Sequence, residues 1–437
     1  MSADSPGLAP AARWLRGWAA PIHRDGLALV LSSGLSSVLG LLYWVVAARL
    51  FSTEVVGVNS VTLSTMMLLG GVAQLNLNYM LLRFLPVAGG RARRLVVLGY
   101  LVSATLSAAA AAIFVAGAGV WAPELLAHTG RGRLLLLLVP ATALWAIFTL
   151  QDFVLTAVKR ATVVPVENLA FALLKIALLV AAVGLAPHEG IVVSWTVATA
   201  AAVVVTNGYL FWRALPAHEA RTRALAEPLS LAGIGRFVGA DYAGAVCWLA
   251  ATFGLPMIVI AVAGPTGAAT YNIVWAIAFA LYLVSSGMGQ SLVAHVAAEP
   301  DRLPAARRAM EVKAAVLLVP AVAMIVFGAP VVLGVFGPEY AETGTGLLAL
   351  AALSALPNII TTSTVSVARV RRQVPLLFAV PASVAVLTIG LSLLTLPRWG
   401  VIGVGAAWLT SQTLVASVVL VLRSTRLAGR RRSAGVS

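Results

Sequence analysis

The sequence is poor in charge and nearly devoid of cysteine. Of 437 residues, 10% are Asp, Glu, Lys or Arg while 60% are apolar, and the mean hydropathy is +0.97. An ordinary soluble domain carries about a quarter charged residues, so a water-facing charged shell around one core is excluded as the main plan. The single cysteine, Cys247, falls in an apolar run, which rules out an intramolecular disulfide and any cysteine metal cluster. None of the three lysines follows a Gly-rich phosphate loop, so no ATP site of that type is expected. The five histidines, His23, His128, His188, His218 and His295, are scattered along the chain. Neither a zinc site nor a nucleophile-base pair emerges from them. No cofactor, no metal and no catalytic group are expected.

What is abundant is uninterrupted apolar sequence. A hydrocarbon layer about 30 Å thick needs roughly 20 apolar residues per helix. Runs such as Leu134 to Leu150 and Ala314 to Phe327 lack the two-residue alternation of a barrel strand. The fold class that follows is all-α, a polytopic membrane protein of about twelve spans: 27–48, 55–82, 95–120, 133–157, 163–186, 191–213, 236–260, 267–296, 312–336, 344–368, 374–396 and 401–423. No stretch outside them is long enough for a soluble domain. The expected organisation is an N-terminal segment 1–26, a first lobe 27–213, a linker 214–235, a second lobe 236–423 and a basic tail 424–437. Arg13, Arg16 and Arg24 precede no short apolar segment with a cleavage site, so the first span is expected to be retained. Trp14 and Trp18 beside them suit an interfacial helix.

The net charge of +15 would suggest nucleic acid in a soluble protein, but here it sorts by side of the membrane. With both termini cytoplasmic, the tails and cytoplasmic loops hold 25 of the 30 Lys and Arg, only Arg49, Arg131, Arg133 and Arg398 lie on the other side, and Lys175 lies within a span. That bias predicts a multi-pass protein of the cell membrane with both ends inside and no nucleic-acid partner. Arg423, Arg426 and Arg430 to Arg432 read as the last topology anchor, with anionic lipid as a second use.

An internal repeat organises the spans. Val164-Pro165 through Pro187 to Gly190 recurs as Val374-Pro375 through Pro397 to Gly400, displaced by 210 residues. Each copy follows a basic pair, Lys159-Arg160 or Arg371-Arg372. A looser echo pairs Ala122-Pro123 with Ala329-Pro330. Six helices separate the copies, which predicts two six-helix lobes related by a pseudo-twofold axis along the membrane normal.

Charged and amide residues inside spans mark the candidate chemistry. Lys175 lies about 18 Å into the fifth helix, where a charge costs on the order of 3 kcal/mol. It reads either as a phosphate or sugar-acid contact or as half of a structural ion pair. Glu167 and Phe171 share its helix face at four-residue spacing. Asp152 should lie near the depth of Glu167, and the two carboxylates offer a proton or cation site, unless Lys159 or Arg160 simply pairs with them. Asp241 carries the same two readings. Arg83 could meet a diphosphate at the entrance or merely snorkel. Asn76, Asn78, Asn272 and Gln290, with Gln74 and Asn168, supply hydrogen-bonding groups suited to sugar hydroxyls or to neighbouring helices.

The first hairpin, Gly34-Leu35-Ser36-Ser37 to Ala48-Arg49-Leu50 then Gly57-Val58-Asn59, running on to Asn78-Tyr79 and Arg83, resembles the oligosaccharide flippase branch of the multidrug, oligosaccharidyl-lipid and polysaccharide exporter superfamily. Gly267 and Tyr271-Asn272 in the second lobe add to the likeness, as do the Val-Pro helix openings and Pro-x-x-Gly exits. The resemblance implies alternating access and export of a polyprenyl-diphosphate-linked saccharide to the outer leaflet, for surface polysaccharide biosynthesis. Its implied partners are that lipid-linked substrate, membrane lipids and glycan-assembly proteins. Three other readings stand beside it: a cation-coupled drug exporter using Asp152 or Asp241, a membrane glycosyltransferase or polymerase, and a nonenzymatic scaffold. The short outer loops, with only Glu54, Glu124, Glu189, Glu339 and Glu342 as acids, disfavour the enzyme.

Overall fold

A computed structural model describes residues 38–223, 242–296 and 302–434, with the backbone alone for 294–296 and 426–434. The segment 1–26, the Gly34 to Ser37 start of the first hairpin, most of the expected linker and Asp241 lie outside the described residues.

No strand occurs among the described residues. In hydrocarbon each backbone amide must be satisfied within its own segment, and the helix does this residue by residue. The first half comprises α1 (Val38–Leu50), α2 (Thr53–Ala73), α3 (Leu77–Phe84), α4 (Ala92–Trp121), α5 (Pro123–Thr129), α6 (Arg131–Ala157), α7 (Val163–Leu185), α8 (Gly190–Tyr209) and α9 (Leu215–Thr222). The second comprises α10 (Leu255–Val296), α11 (Leu303–Gly334), α12 (Pro338–Leu353), α13 (Ala355–Val370), α14 (Val374–Trp399) and α15 (Val401–Ala434). Among the described residues, ten helices are long and apolar enough to cross a membrane. One, Tyr242–Val293, is 52 residues long and is interrupted at Gly264 (φ 69°, ψ −177°), just before Pro265. Its two arms fall within the expected spans 236–260 and 267–296, of which 236–241 lie outside the described residues, and α1 is the described part of the first expected span. Large apolar side chains such as Phe327, 87% exposed, point outward from the bundle, as a lipid-facing surface requires.

Two departures from a regular helix have the same local cause. The π-turns Leu210–Ala214 and Ala250–Gly254 are each followed at once by Leu-Pro, Leu215-Pro216 and Leu255-Pro256. Proline lacks the N–H and its ring crowds the carbonyl four residues back, so the preceding turn widens. Through the first of these turns the eighth helix runs on into α9, and the described part of the expected linker is therefore helix rather than loop.

The expected span 55–82 is broken. Leu75 (φ 51°) and Asn76 (φ 54°) are left-handed, so α2 stops at Ala73 and α3 starts at Leu77. Asn tolerates this conformation, whereas Leu pays about 1–2 kcal/mol for it. The Gln74 side chain holds the break by donating to Thr149 Oγ1 at 2.8 Å on α6.

The repeat is visible as one turn used twice. After α6, Arg160 N–H bonds Leu155 C=O and Lys159 N–H bonds Thr156 C=O; after α13, Gln373 N–H bonds Ala368 C=O and Arg372 N–H bonds Arg369 C=O. Both are Schellman caps, with left-handed Lys159 (φ 61°) and Arg372 (φ 54°) where glycine is usual. Lys159 thus corresponds to Arg372, an offset of 213, and three fewer residues separate the second cap from its Val-Pro. The looser echo does not hold: Pro123 opens the short α5, while Pro330 lies inside α11.

Helices pack chiefly within their own half: α4 with α6, α6 with α8 and α7 with α8 in the first, α11 with α12, α12 with α15 and α14 with α15 in the second. The principal bridge is α2 along α10. Near the start of α2, Gly57 abuts Pro265. Nearby, Arg49 donates to the carbonyls of Val335 and Gly334, both at 2.9 Å, capping the C-terminal end of α11. These contacts join the halves at the end of the bundle opposite the arginine-rich loops.

Candidate functional site

At the basic end the halves diverge and leave a cavity of about 410 Å³. The break at Leu75 and Asn76 shapes its first wall, because it turns α3 so that Asn76, Asn78 and Tyr79 line the space beside Gln74. The opposite wall is built from the second half: Tyr242, Trp248, Phe279, Tyr282 and Gln290, with Asn358, Thr361 and Gln412. Arg369, near the end of α13, is the one charged lining residue among those described. Amides, hydroxyls and aromatic rings make up the remaining polar surface. The cavity contains no carboxylate among the described residues.

The polar groups are partly engaged with one another. Tyr282 OH and Ser354 Oγ are 2.7 Å apart, Thr361 Oγ1 donates to Gln412 Oε1 at 3.1 Å, and Tyr242 OH donates to the Val72 carbonyl. Behind the wall an aromatic stack supports Trp248: Trp408 and Tyr282 lie 6.1 Å from it, and Trp275 stacks on Trp408 at 4.7 Å. A similar size range is common for small-ligand sites, which combine apolar walls with a few directed polar groups.

The fold is shared with transporters. An inward-facing multidrug resistance transporter of the MATE family, MOP superfamily, matches with a TM-score of 0.71 and 13% identity over 91% of this chain and 96% of its own. An outward-facing MATE transporter gives 0.60 at 14% identity, over 93% and 95%. The lipid II flippase MurJ in an inward closed conformation gives 0.61 at 10% identity, over 91% and 87%. These likenesses establish the fold. No protein-family model matches the chain, and no curated protein matches it in sequence.

Of the six residues expected to bind substrate, the cavity gathers Asn76, Asn78 and Gln290. Three others lie elsewhere. Asn272 is on α10 with a buried Nδ2 that has no hydrogen-bond partner. The Arg83 guanidinium lies over the Phe84 ring at 5.7 Å. Lys175 is buried inside the first half with its ammonium 3.7 Å from the Trp195 ring centre, 4.4 Å from Tyr43 and 5.0 Å from Phe171. No carboxylate pairs with it among the described residues; an aromatic cage stands where the ion-pair reading would have a carboxylate. Each desolvated cation–π contact contributes up to about 2 kcal/mol, enough for three rings to offset a charge held in hydrocarbon. Tyr43 is fixed in turn by Ile191 C=O and Ser194 Oγ, which join α1 to α8.

Asp152 and Glu167 do come together, close enough for their charges to interact. Lys159 and Arg160 form no salt bridge with them among the described residues. The Gln151 amide donates to Glu167 instead and accepts from Asn207 at 3.2 Å, while Asn168 approaches Asp152. Arg423, expected as a topology anchor with anionic lipid as a second use, has protein partners. Its guanidinium binds Glu311 at 3.0 Å and contacts Thr364, and Arg307 closes on the same carboxylate oxygen at 3.0 Å.

Arg369, Trp248 and Gln412 were not legible as site residues in the sequence. Arg369 reads as one more loop cation, and an isolated Trp or Gln in a span has no periodic signature.

Proposed function

We propose that the chain flips a polyprenyl-diphosphate-linked oligosaccharide from the cytoplasmic to the outer leaflet by alternating access, for surface polysaccharide biosynthesis. The observation that carries this reading is the composition of the cavity: amides, hydroxyls and aromatic rings with Arg369 as its cation and no described carboxylate. Such a lining suits sugar hydroxyls and phosphate, and it offers an organic cation no counter-charge. On this reading the arginine-rich end and both termini are cytoplasmic, the lobes are 27–213 and 236–423, and Asn76, Asn78 and Gln290 contact substrate. The Asp152 and Glu167 pair takes up the coupling proton or cation.

The alternative is a cation-coupled multidrug exporter, favoured by the fold likeness to MATE transporters and by the same carboxylate pair. Reconstitution separates the two. Vesicles containing the wild-type protein should translocate a fluorescent short-chain polyprenyl-diphosphate saccharide, and Arg369→Ala should slow it. No translocation of several such lipids, with ion-driven efflux of a cationic dye, would replace the flippase by the exporter.

A further inference from the structure

We infer that the second half carries a subsite for an uncharged sugar ring, built on Trp248, and that the ligand enters this cavity saccharide first. The inference rests on the flippase reading and adds where each end of the ligand lies. Cation and aromatic groups are segregated along the cavity. Arg369 is exposed at the basic surface near the end of α13, where a diphosphate tethered to lipid would remain. Trp248 and Phe279 are half-buried in the wall toward mid-bundle, and no described charged group lines the space beside them. A flat ring backed by Trp408 and Tyr282 is held rigid by its neighbours, so it presents a fixed apolar surface to the C–H face of a sugar.

Two buried amide atoms point to hydroxyl recognition. Gln412 is wholly buried; its Oε1 is taken by Thr361, and its Nε2 lies beside the Tyr282 hydroxyl without a partner in hydrogen-bond geometry. On the other half, Asn78 Oδ1 is buried without a donor. One wall therefore offers a donor and the other an acceptor, and a hydroxyl is both at once. Buried polar atoms left unpaired are costly, which favours a ligand that supplies their partners. A uronic acid would bring a carboxylate into this charge-free stretch and is disfavoured.

The test measures binding of two probes to the purified full chain: a short-chain polyprenyl diphosphate bearing one neutral hexose, and the same lipid diphosphate without sugar. Wild type should favour the hexose-bearing probe by about tenfold, and the preference should fall toward unity in Trp248→Ala and Gln412→Leu and be partly kept in Trp248→Phe. If Trp248→Ala does not fold, Trp248→Phe and Gln412→Leu carry the comparison. Equal binding of both probes by wild type, or a preference that survives Gln412→Leu and Trp248→Phe undiminished, overturns the subsite while leaving flipping intact wherever vesicles still translocate the lipid. A wild type that neither binds nor moves either probe removes the flippase reading and the subsite with it.

Discussion

Gly57 meets Pro265 across the two halves with no space for a side chain: a Cβ at position 57 would stand 1.9 Å from the Pro265 carbonyl oxygen. Both partners are backbone, so neither can rotate away. Gly57→Ala is expected to cost about 1–3 kcal/mol through forced separation of α2 and α10. The check is the melting temperature of the purified protein in detergent, which should fall; an unchanged value would mean that the halves are not held at this distance.

Arg49 closes the same end by a different means, donating to two carbonyls at the end of α11. The side chain is exposed, so Arg49→Ala should cost less than about 1 kcal/mol of stability. Its effect should instead be on access. With Cys247 replaced by serine and a cysteine placed at Thr53, a membrane-impermeant maleimide should label the Arg49→Ala protein faster than its parent. Equal rates would show that the clasp does not keep that end shut.

Much of the architecture is readable from the residues, and the unread parts have a common cause. Apolar runs predict the helices because hydrocarbon leaves the backbone no alternative, and the Val-Pro repeat predicts two halves because proline is tolerated where a helix begins. The antiparallel placement of Asp152 and Glu167 follows from their equal distance to one turn. Tertiary choices are less legible. Nothing in Gln74-Leu75-Asn76 announces a left-handed break within an apolar run; it is held by Thr149 on another helix. Likewise the partner of Lys175 is a set of rings from three helices, and the search for a carboxylate partner overlooks them.

That cage makes the sign of the charge at position 175 decisive. Aromatic faces attract a cation and repel an anion. Lys175→Met fills a similar volume and should still yield a monodisperse protein on size-exclusion chromatography. Lys175→Glu places an unpaired anion against three ring faces, at a cost of about 3–5 kcal/mol, and should abolish the folded peak. Comparable yields of the two variants would contradict the cage.

At the paired Schellman caps, left-handed Lys159 and Arg372 occupy positions that glycine fills without steric cost. Lys159→Gly and Arg372→Gly should each stabilise the protein by about 1 kcal/mol. Denaturant or thermal titration reads this directly, and a loss of stability in both would indicate that the basic side chains matter more than the turn.

Glu311 holds Arg307 and Arg423 on one carboxylate oxygen. Glu311→Gln should leave two like charges facing each other and destabilise by about 2 kcal/mol. In a double-mutant cycle, Arg423→Met should recover part of that loss. Strict additivity of the two changes would mean that the pair is not coupled.

The interruption between α2 and α3 divides the labour of a single span. Residues before it seal one end of the protein through Gly57, and residues after it, Asn76, Asn78 and Tyr79, form a wall of the cavity at the other. The two parts are joined through three residues rather than by a continuous rod, so the direction of the wall is set separately from that of the seal. The second helix is thus two tools on one stretch of chain, and on the proposed flippase reading the cavity wall is the part of it that substrate meets first.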